Sequence, residues 1–444
     1  MITQKNSLAT DHFSTFPWVL FLSLVGLFYI SGHVFSMSIE IDPETSRETM
    51  MMDAARGSVV RQIGFSLLGL YGAIVLIFSR RDRLRIDGPI GWLLLVFCGW
   101  MVLSVLWSAD PGLTLRRTVV ITMFLIGGLG CSRRIRGRNI ARFVLFSCLF
   151  YVGIGLVAEL VLGTFQPNVP EYRFAGTLHP NWQGMNCALV VLSAYFLGRG
   201  SVNYKMYRVC MFVGFVFLML TKSRTSFWST VMVISTHYIL TTTASRRIRS
   251  IYFGMLILLL IALLLGETLF PALEDVFLFG RGTAEGEMKL AGRLPLFEEC
   301  FEYFLRRPIL GYGYGAFWTP NRIEDITESQ GWVTAGSHSI YIDSALDLGV
   351  IGFIVFGVLI WKSIRKSWFL SRNDQAHVYD FYFGFMIFLL LNGLMESIFL
   401  ASAFPLFVAF LVFISLGFRF QKIPSKRAKM IETVQGADPY WRSP

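Results

Sequence analysis

Charge is scarce in this chain. Only 16% of its 444 residues are Asp, Glu, Lys or Arg, against about 25% in soluble domains. With 54% hydrophobic residues and a mean hydropathy of +0.56, that shortfall excludes an ordinary soluble protein. Cysteine is sparse as well. Of the six, Cys98, Cys131, Cys148, Cys187 and Cys210 fall inside apolar runs, and Cys300 alone lies in a polar loop. No external disulfide framework or zinc site can be assembled from that set. No histidine pair has metal-ligand spacing and the outward carboxylates are scattered, so neither a metal nor another cofactor is expected. Internal repeats and Pro- or Ser-rich linkers are missing, which argues for a single membrane domain across 1–444. The apolar runs are continuous and lack the alternation of membrane strands, which excludes a β-barrel.

What the chain does have is apolar runs of bilayer length, about 20 residues each. Twelve spans can be drawn, at 16–36, 58–79, 89–107, 113–131, 140–162, 182–198, 207–223, 225–244, 251–269, 340–361, 379–397 and 403–420. The fold class is therefore an all-α polytopic membrane protein with about 12 transmembrane helices. The seventh and eighth spans join at Arg224 with almost no loop. A long polar interruption, 270–339, separates spans nine and ten and emerges as one large loop.

Orientation follows from the bias of Lys and Arg toward short cytoplasmic loops. Arg80, Arg81, Arg83 and Arg85 follow span two, and Arg133, Arg134, Arg136 and Arg138 follow span four. Further clusters are Arg246, Arg247 and Arg249, then Lys362, Arg365, Lys366 and Arg372, then Lys422, Lys426, Arg427 and Lys429. These loops alternate with sparse ones such as 108–112. Both termini, including the tail 421–444, are thus assigned to the cytoplasm, and the 270–339 loop to the opposite, periplasmic side. The formal charge of +11 is explained by this bias, since anionic inner-leaflet lipid attracts such loops; no nucleic-acid partner is needed. The first apolar span has about twenty residues with Lys5 as its only upstream cation, unlike a cleavable signal.

Against this apolar background a few polar residues stand out. Arg224 lies in Lys222-Ser223-Arg224-Thr225, at the end of a span. Arg293 opens the amphipathic stretch 294–305 in the large loop. The turn-rich run Arg307-Pro308-Ile309-Leu310-Gly311-Tyr312-Gly313-Tyr314-Gly315 follows, and the loop closes on Gly336-Ser337-His338-Ser339. Two arginines and a histidine at the mouth of a bundle suit chemistry on an anion at the membrane surface. Each has a plainer reading. Arg224 could snorkel to the interface, Arg293 could pair with Glu298 or Glu299, and a loop histidine is usually ordinary. The glycine-tyrosine run follows no strand and reads better as packed turns than as a phosphate cradle. Arg116 and Arg117 open span four on the outer side, where they either bind carrier or acceptor phosphate or simply snorkel. Glu159 inside span five is functional by default, or paired near the boundary. Glu40, Asp42, Glu44 and Glu48 read as a solvated acidic loop in preference to a metal site, and His179-Pro180 as a structured turn.

Four segments together resemble one family. They are Leu103-Ser104-Val105-Leu106-Trp107-Ser108-Ala109-Asp110-Pro111; Ser223-Arg224-Thr225; Gly292-Arg293 with Arg307-Pro308 and Gly311-Tyr312-Gly313; and His338 with Leu348-Gly349-Val350-Ile351-Gly352. In their order and topology they resemble the O-antigen ligase superfamily, which includes Wzy-like polysaccharide polymerases. Ser339 departs from the asparagine that follows the histidine in many relatives.

The resemblance implies a GT-C-like enzyme of the bacterial inner membrane. Such an enzyme takes a glycan from an undecaprenyl-diphosphate carrier and joins it to an acceptor hydroxyl at the periplasmic face, without a metal. By the same resemblance Arg224 and Arg293 grip the diphosphate and steady its growing charge, and His338 is the base. Asp343 is the next candidate base. The acceptor would be a growing exopolysaccharide, which the Trp107–Pro111 segment favours, or lipid A–core, as in a ligase. Membrane lipids and other polysaccharide assembly proteins are the further expected partners. A lipid-linked glycan or anion transporter is the competing class, but transporters place charges at mid-membrane within repeated halves, whereas here they gather at the outer mouth.

Overall fold

A computed structural model of the protein describes residues 16–37, 39, 58–78, 82–243, 245–269, 290–373, 377–397 and 403–422. The acidic group at 40–48, the first part of the large loop (270–289) and the tail beyond 422 lie outside the described residues. Helices α1 (Trp18–Gly32), α2 (Val59–Ile77), α3 (Pro89–Leu103), α4 (Pro111–Cys131), α5 (Arg138–Leu162), α6 (Pro180–Gly198), α7 (Tyr204–Leu220), α8 (Arg224–Thr241) and α9 (Arg246–Leu269) occupy the first nine expected spans. The large loop carries α10 (Leu290–Arg306) and α11 (Pro320–Gln330), and α12 (Ile340–Asn373), α13 (Asp380–Asn392) and α14 (Ala403–Gly417) follow. Among the described residues five helices are long and apolar enough to cross a membrane: α2, α3 with the 3-10 turn that extends it, α4, α5 and α12. Three shorter apolar helices, α1, α13 and α14, accompany them. The protein is thus a helical membrane protein.

Helix α14 is the axis of the bundle. Phe404 and Leu406 through Ile414 are all buried, and the helix contacts α1, α3, α4, α5 and α12. A helix apolar on every side is stable only when wrapped in this way. Phenylalanines knit the wrap: Phe28 lies 5.1 Å from Phe407 and Phe65 4.8 Å from Phe124. Helices α2 and α4 approach until backbone meets backbone. A Cβ on Gly72 would sit 2.2 Å from the Ile126 carbonyl oxygen, so only glycine permits this contact. Small residues at such seams let packing replace the hydrophobic drive that lipid does not supply. Hydroxyls inside the helices donate back to their own backbone, as Thr230 does to the Ser226 carbonyl at 2.7 Å and Ser363 to Leu359 at 2.8 Å. These hydroxyls thereby offer no polar hydrogen to hydrocarbon.

The connections fall into two sets, one at each end. At one end β1 (Asp82–Ile86) pairs antiparallel with β2 (Phe418–Lys422), Arg138 donates to the Leu197 carbonyl at 2.6 Å, and Arg199 meets Asp380 at 3.3 Å. At the other end Val34 N–H donates to Thr177 at 2.9 Å, Ala109 to Tyr312 at 2.8 Å and Ile340 to Gly393 at 2.9 Å. The sequence reading sorts the loops into the same two groups. A short two-stranded ribbon is added to the all-α bundle. Chain beyond Gly417 leaves the bundle, and its backbone groups are satisfied by a strand far away in sequence. Residues 393–397 of the expected eleventh span are likewise not helical; Gly393 turns there to accept from Ile340.

If the basic end is cytoplasmic, reporter fusions at Ser132 and Ser245 will read cytoplasmic and a fusion at Glu324 on α11 will read external. A cytoplasmic reading at Glu324 would contradict the arrangement.

Candidate functional site

The end opposite the basic loops is built around two carboxylates one helical turn apart on α12. Asp347 is buried and accepts from Gly315 N–H at 2.8 Å and Phe317 N–H at 3.3 Å. Asp343, also buried, accepts from the Trp318 indole at 3.0 Å and Ser337 N–H at 3.3 Å. Residues i and i+4 share a helix face, so one face of α12 holds both the turn run 311–318 and the His338 loop. The run is held from its other side too. Tyr314 N–H donates to Ser104 Oγ at 2.9 Å, the Trp107 indole donates to Leu310 at 2.9 Å, and Trp100 donates to Leu348 at 3.1 Å. Gly349 makes the docking possible. Its φ is +64°, and a Cβ there would lie 2.1 Å from the Ile309 carbonyl oxygen, so α12 kinks at a position that only glycine fills. The glycine-tyrosine run is therefore a set of packed turns whose amides are already engaged, not a phosphate cradle.

Arg117 belongs to this scaffold. Its guanidinium donates to the Gly315 carbonyl at 2.6 Å, beside Asp347. Arg116 is exposed, with Nε 3.4 Å from the Gly112 carbonyl of its own helix. Glu159 is fully buried, and its carboxylate accepts from Tyr172 Oη at 2.5 Å, Ala175 N–H at 2.9 Å and Gly176 N–H at 2.7 Å. It anchors the 163–179 loop. Asp343 is likewise occupied in holding the His338 loop.

His338 sits at φ +55°, a left-handed conformation that costs a non-glycine residue about 1–3 kcal/mol. Its neighbours enforce it: Ser337 Oγ donates to the Ser339 carbonyl at 3.0 Å, Ser339 N–H donates to Ser337 Oγ at 3.2 Å, and Asp343 holds Ser337. Strain kept in place by surrounding bonds is characteristic of functional turns. The half-buried imidazole faces the Trp332 ring at 5.8 Å with 31° between planes. Burial, with the positive charge of Arg293 and the nearby His179, pushes its pKa down to about 3, so the free imidazole is neutral at physiological pH.

The large loop and the bundle meet here. Arg293, at the start of α10, donates to the Met395 carbonyl at 3.2 Å, which places it at the outer end of α13. The turn bearing Arg224 reaches the same region. Lys222 lies at φ +51°, Arg224 begins α8, and Ser226 one helical step on accepts from Asn392 Nδ2 of α13 at 3.2 Å. Thus His338 and Arg293 lie within electrostatic reach of one another, and Arg224 stands at the same end on the adjoining helix. Of two further residues at this mouth, His179 was read from the sequence as a structured turn and Arg173 was passed over. His179 caps α6 by accepting from Asn181 N–H at 3.3 Å, and Arg173 donates to Asn181 Oδ1 at 2.8 Å and to the Thr221 carbonyl at 3.3 Å. The His-Pro-Asn step before a helix was the only local sign of the first. Among the described residues no cluster of three His, Cys, Asp or Glu could hold a metal.

The depressed His338 pKa fixes a pH dependence. The unfolded chain binds a proton near pH 6.5 and the folded site only near 3, so this residue's stabilising share is complete above 6.5 and falls as pH drops toward 3. Thermal unfolding of the purified protein between pH 7.5 and 4.5 should therefore show a smaller loss of Tm in His338→Gln than in the native chain. Equal losses would mean an imidazole already open to solvent.

Comparison with known proteins bears on the same stretch. Residues 209–357 match a family model described as O-Antigen ligase; no curated protein matches the chain. The match begins in α7, ends in α12, and contains Arg224, Arg293 and His338 together with the turns that position them. Residues 209–357 of the 444 are thus similar to the O-antigen ligase family, in agreement with the resemblance seen in the sequence.

Proposed function

We propose that the protein is a glycan polymerase. It transfers an oligosaccharide from an undecaprenyl-diphosphate carrier to a hydroxyl of a growing exopolysaccharide at the periplasmic face of the inner membrane. The observation that carries the reading is the convergence on one end of the bundle of a strained, neutral histidine, Arg293 beside it and Arg224 on the adjoining helix. A diphosphate at headgroup level carries at least two negative charges, and guanidinium grips such oxygens bidentately without losing its charge. Arg224 and Arg293 bind it there. A growing exopolysaccharide is preferred to lipid A–core as acceptor because the Trp107–Pro111 segment resembles the polymerase members.

The reaction is a single displacement. The acceptor oxygen attacks the anomeric carbon of the donor, the bond from that carbon to the phosphate oxygen breaks, and its electron pair leaves on the diphosphate. The acceptor's proton passes to His338. Preorganised arginines stabilise the charge that builds on the leaving group, and a diphosphate leaves well enough to need no strong acid. A base with a pKa near 3 is weak while Arg293 stands unneutralised. Docking of the anionic donor offsets the part of that weakness due to Arg293, and the part due to burial stays. Neither base nor clamp requires a metal. Arg116, exposed near the mouth, is a secondary phosphate contact; Arg117 acts through the scaffold that it holds.

Three variants separate these roles in a transfer assay with purified protein and lipid-linked donor. His338→Ala should leave donor binding nearly unchanged and lower turnover by about 10²–10⁴-fold. Arg224→Lys and Arg293→Lys keep the charge but lose the planar fork, and each should cut both donor affinity and turnover, the latter on the order of 10²-fold. Transfer should persist in excess chelator. Near-normal turnover of a folded His338→Ala protein would make the histidine structural.

A further inference from the structure

Trp332 has no part in the chemistry above, yet its ring lies beside that of His338. It follows α11 directly, and its ring packs against the buried cluster of the large loop formed by Leu296, Cys300, Phe317 and Trp318. That cluster fixes the plane of the indole. Its outer part remains accessible, and its centroid lies 5.8 Å from that of His338 with 31° between planes. The indole and the imidazole thus lie side by side, with the exposed part of the indole next to the proton acceptor. Asp343 and the two flanking serines hold the backbone on either side of His338.

A pyranose ring suits the exposed part of such an indole. One of its faces presents mainly C–H groups, which are desolvated cheaply against an indole, while its rim carries hydroxyls. An amphipathic aromatic with a fixed plane is the side chain best suited to hold a flat apolar face beside a polar edge. Arg224, by contrast, is on the bundle side, beside α6 and α13. The mouth thus offers a cationic wall for an anion and an aromatic wall for a neutral ring. Arg293, which spans from the large loop to Met395, marks the seam between them.

We propose that Trp332 forms the floor of an acceptor-sugar subsite, on which the terminal pyranose of the acceptor stacks with a hydroxyl presented to His338. The inference rests on the glycan-transfer reading and adds to it where the acceptor lies and what recognises it. The stack contributes binding and orientation in the ground state and the transition state alike, so its loss raises KM for the acceptor and leaves kcat nearly intact.

The full-length protein in nanodiscs tests this with two probes from the producing strain. One is the lipid-linked donor; the other is a set of repeat-unit oligosaccharides released from its polysaccharide by mild acid. Trp332→Leu should raise acceptor KM and weaken oligosaccharide binding by about 10-fold, in line with the loss of one aromatic stacking partner. Donor KM should stay unchanged and kcat should stay within about 2-fold. Trp332→Phe, which keeps an aromatic face and spares the packing, should lie between. An unchanged acceptor KM and oligosaccharide affinity in either folded variant would overturn the proposal. So would a fall in kcat alone, which would show that Trp332 only steadies the histidine ring. Oligosaccharide binding is read without turnover, so a native protein that binds the sugar through Trp332 but transfers nothing would sink the transfer reading and spare the subsite.

Discussion

The outer end of this protein depends on Asp343 and Asp347. They lie one turn apart on a helix inside an apolar bundle, and between them they accept four hydrogen bonds from the large loop. A buried carboxylate without partners is expensive, so neither can release the loop cheaply. Asp343 in particular holds Ser337, the residue before the left-handed His338. Gly349 completes the arrangement by letting the backbone of 308–310 lie against the kink. With the first carboxylate the histidine is aimed; with the second the turns and Arg117 are locked. Truncation of either would loosen a site that neither touches chemically.

The same economy explains the electrostatics. The mouth gathers Arg173, Arg224, Arg293 and two histidines on the side of the bundle that has few basic loops. Cations there have no general topological reason to exist, unlike those beside β1 and β2. At the other end Asp87 is held below its usual range, against the opposing effect of burial, by Lys366 and Arg419, and the charges there compensate each other locally. At the mouth the imidazole is driven toward its neutral form first by burial and then by the cation beside it. On the proposed reading, an arriving anion relieves the repulsion from Arg293, while the effect of burial remains.

Much of this was legible in the sequence, for identifiable reasons. Continuous apolar runs announce helices because a bilayer admits little else, and each expected span carries one. The sharp join at Arg224 and the packed nature of the Gly-Tyr turns were also readable, since charge and glycine punctuate locally. What escaped was non-local. The pairing of 82–86 with 418–422 joins segments far apart in sequence, and no local pattern specifies it. His179 and Arg173 looked like loop residues because their nearness to His338 and to the Lys222 turn exists only after α6 and α8 pack. Arg117 allowed a snorkelling or a ligand-binding reading, and its bond to the Gly315 carbonyl is neither. The extension of α12 to Asn373 across the Gly349 kink was missed because glycine at positive φ leaves no mark in hydropathy.

The account stands or falls on whether this end of the molecule breaks the glycan–diphosphate bond. The most direct measurement follows purified protein in sealed vesicles supplied with lipid-linked oligosaccharide, counting free carrier diphosphate against glycan units joined. One diphosphate released per unit joined, with chains that lengthen in step, is the predicted result. Donor recovered intact on the opposite side of the bilayer, with no free diphosphate, would contradict the account and identify a transporter.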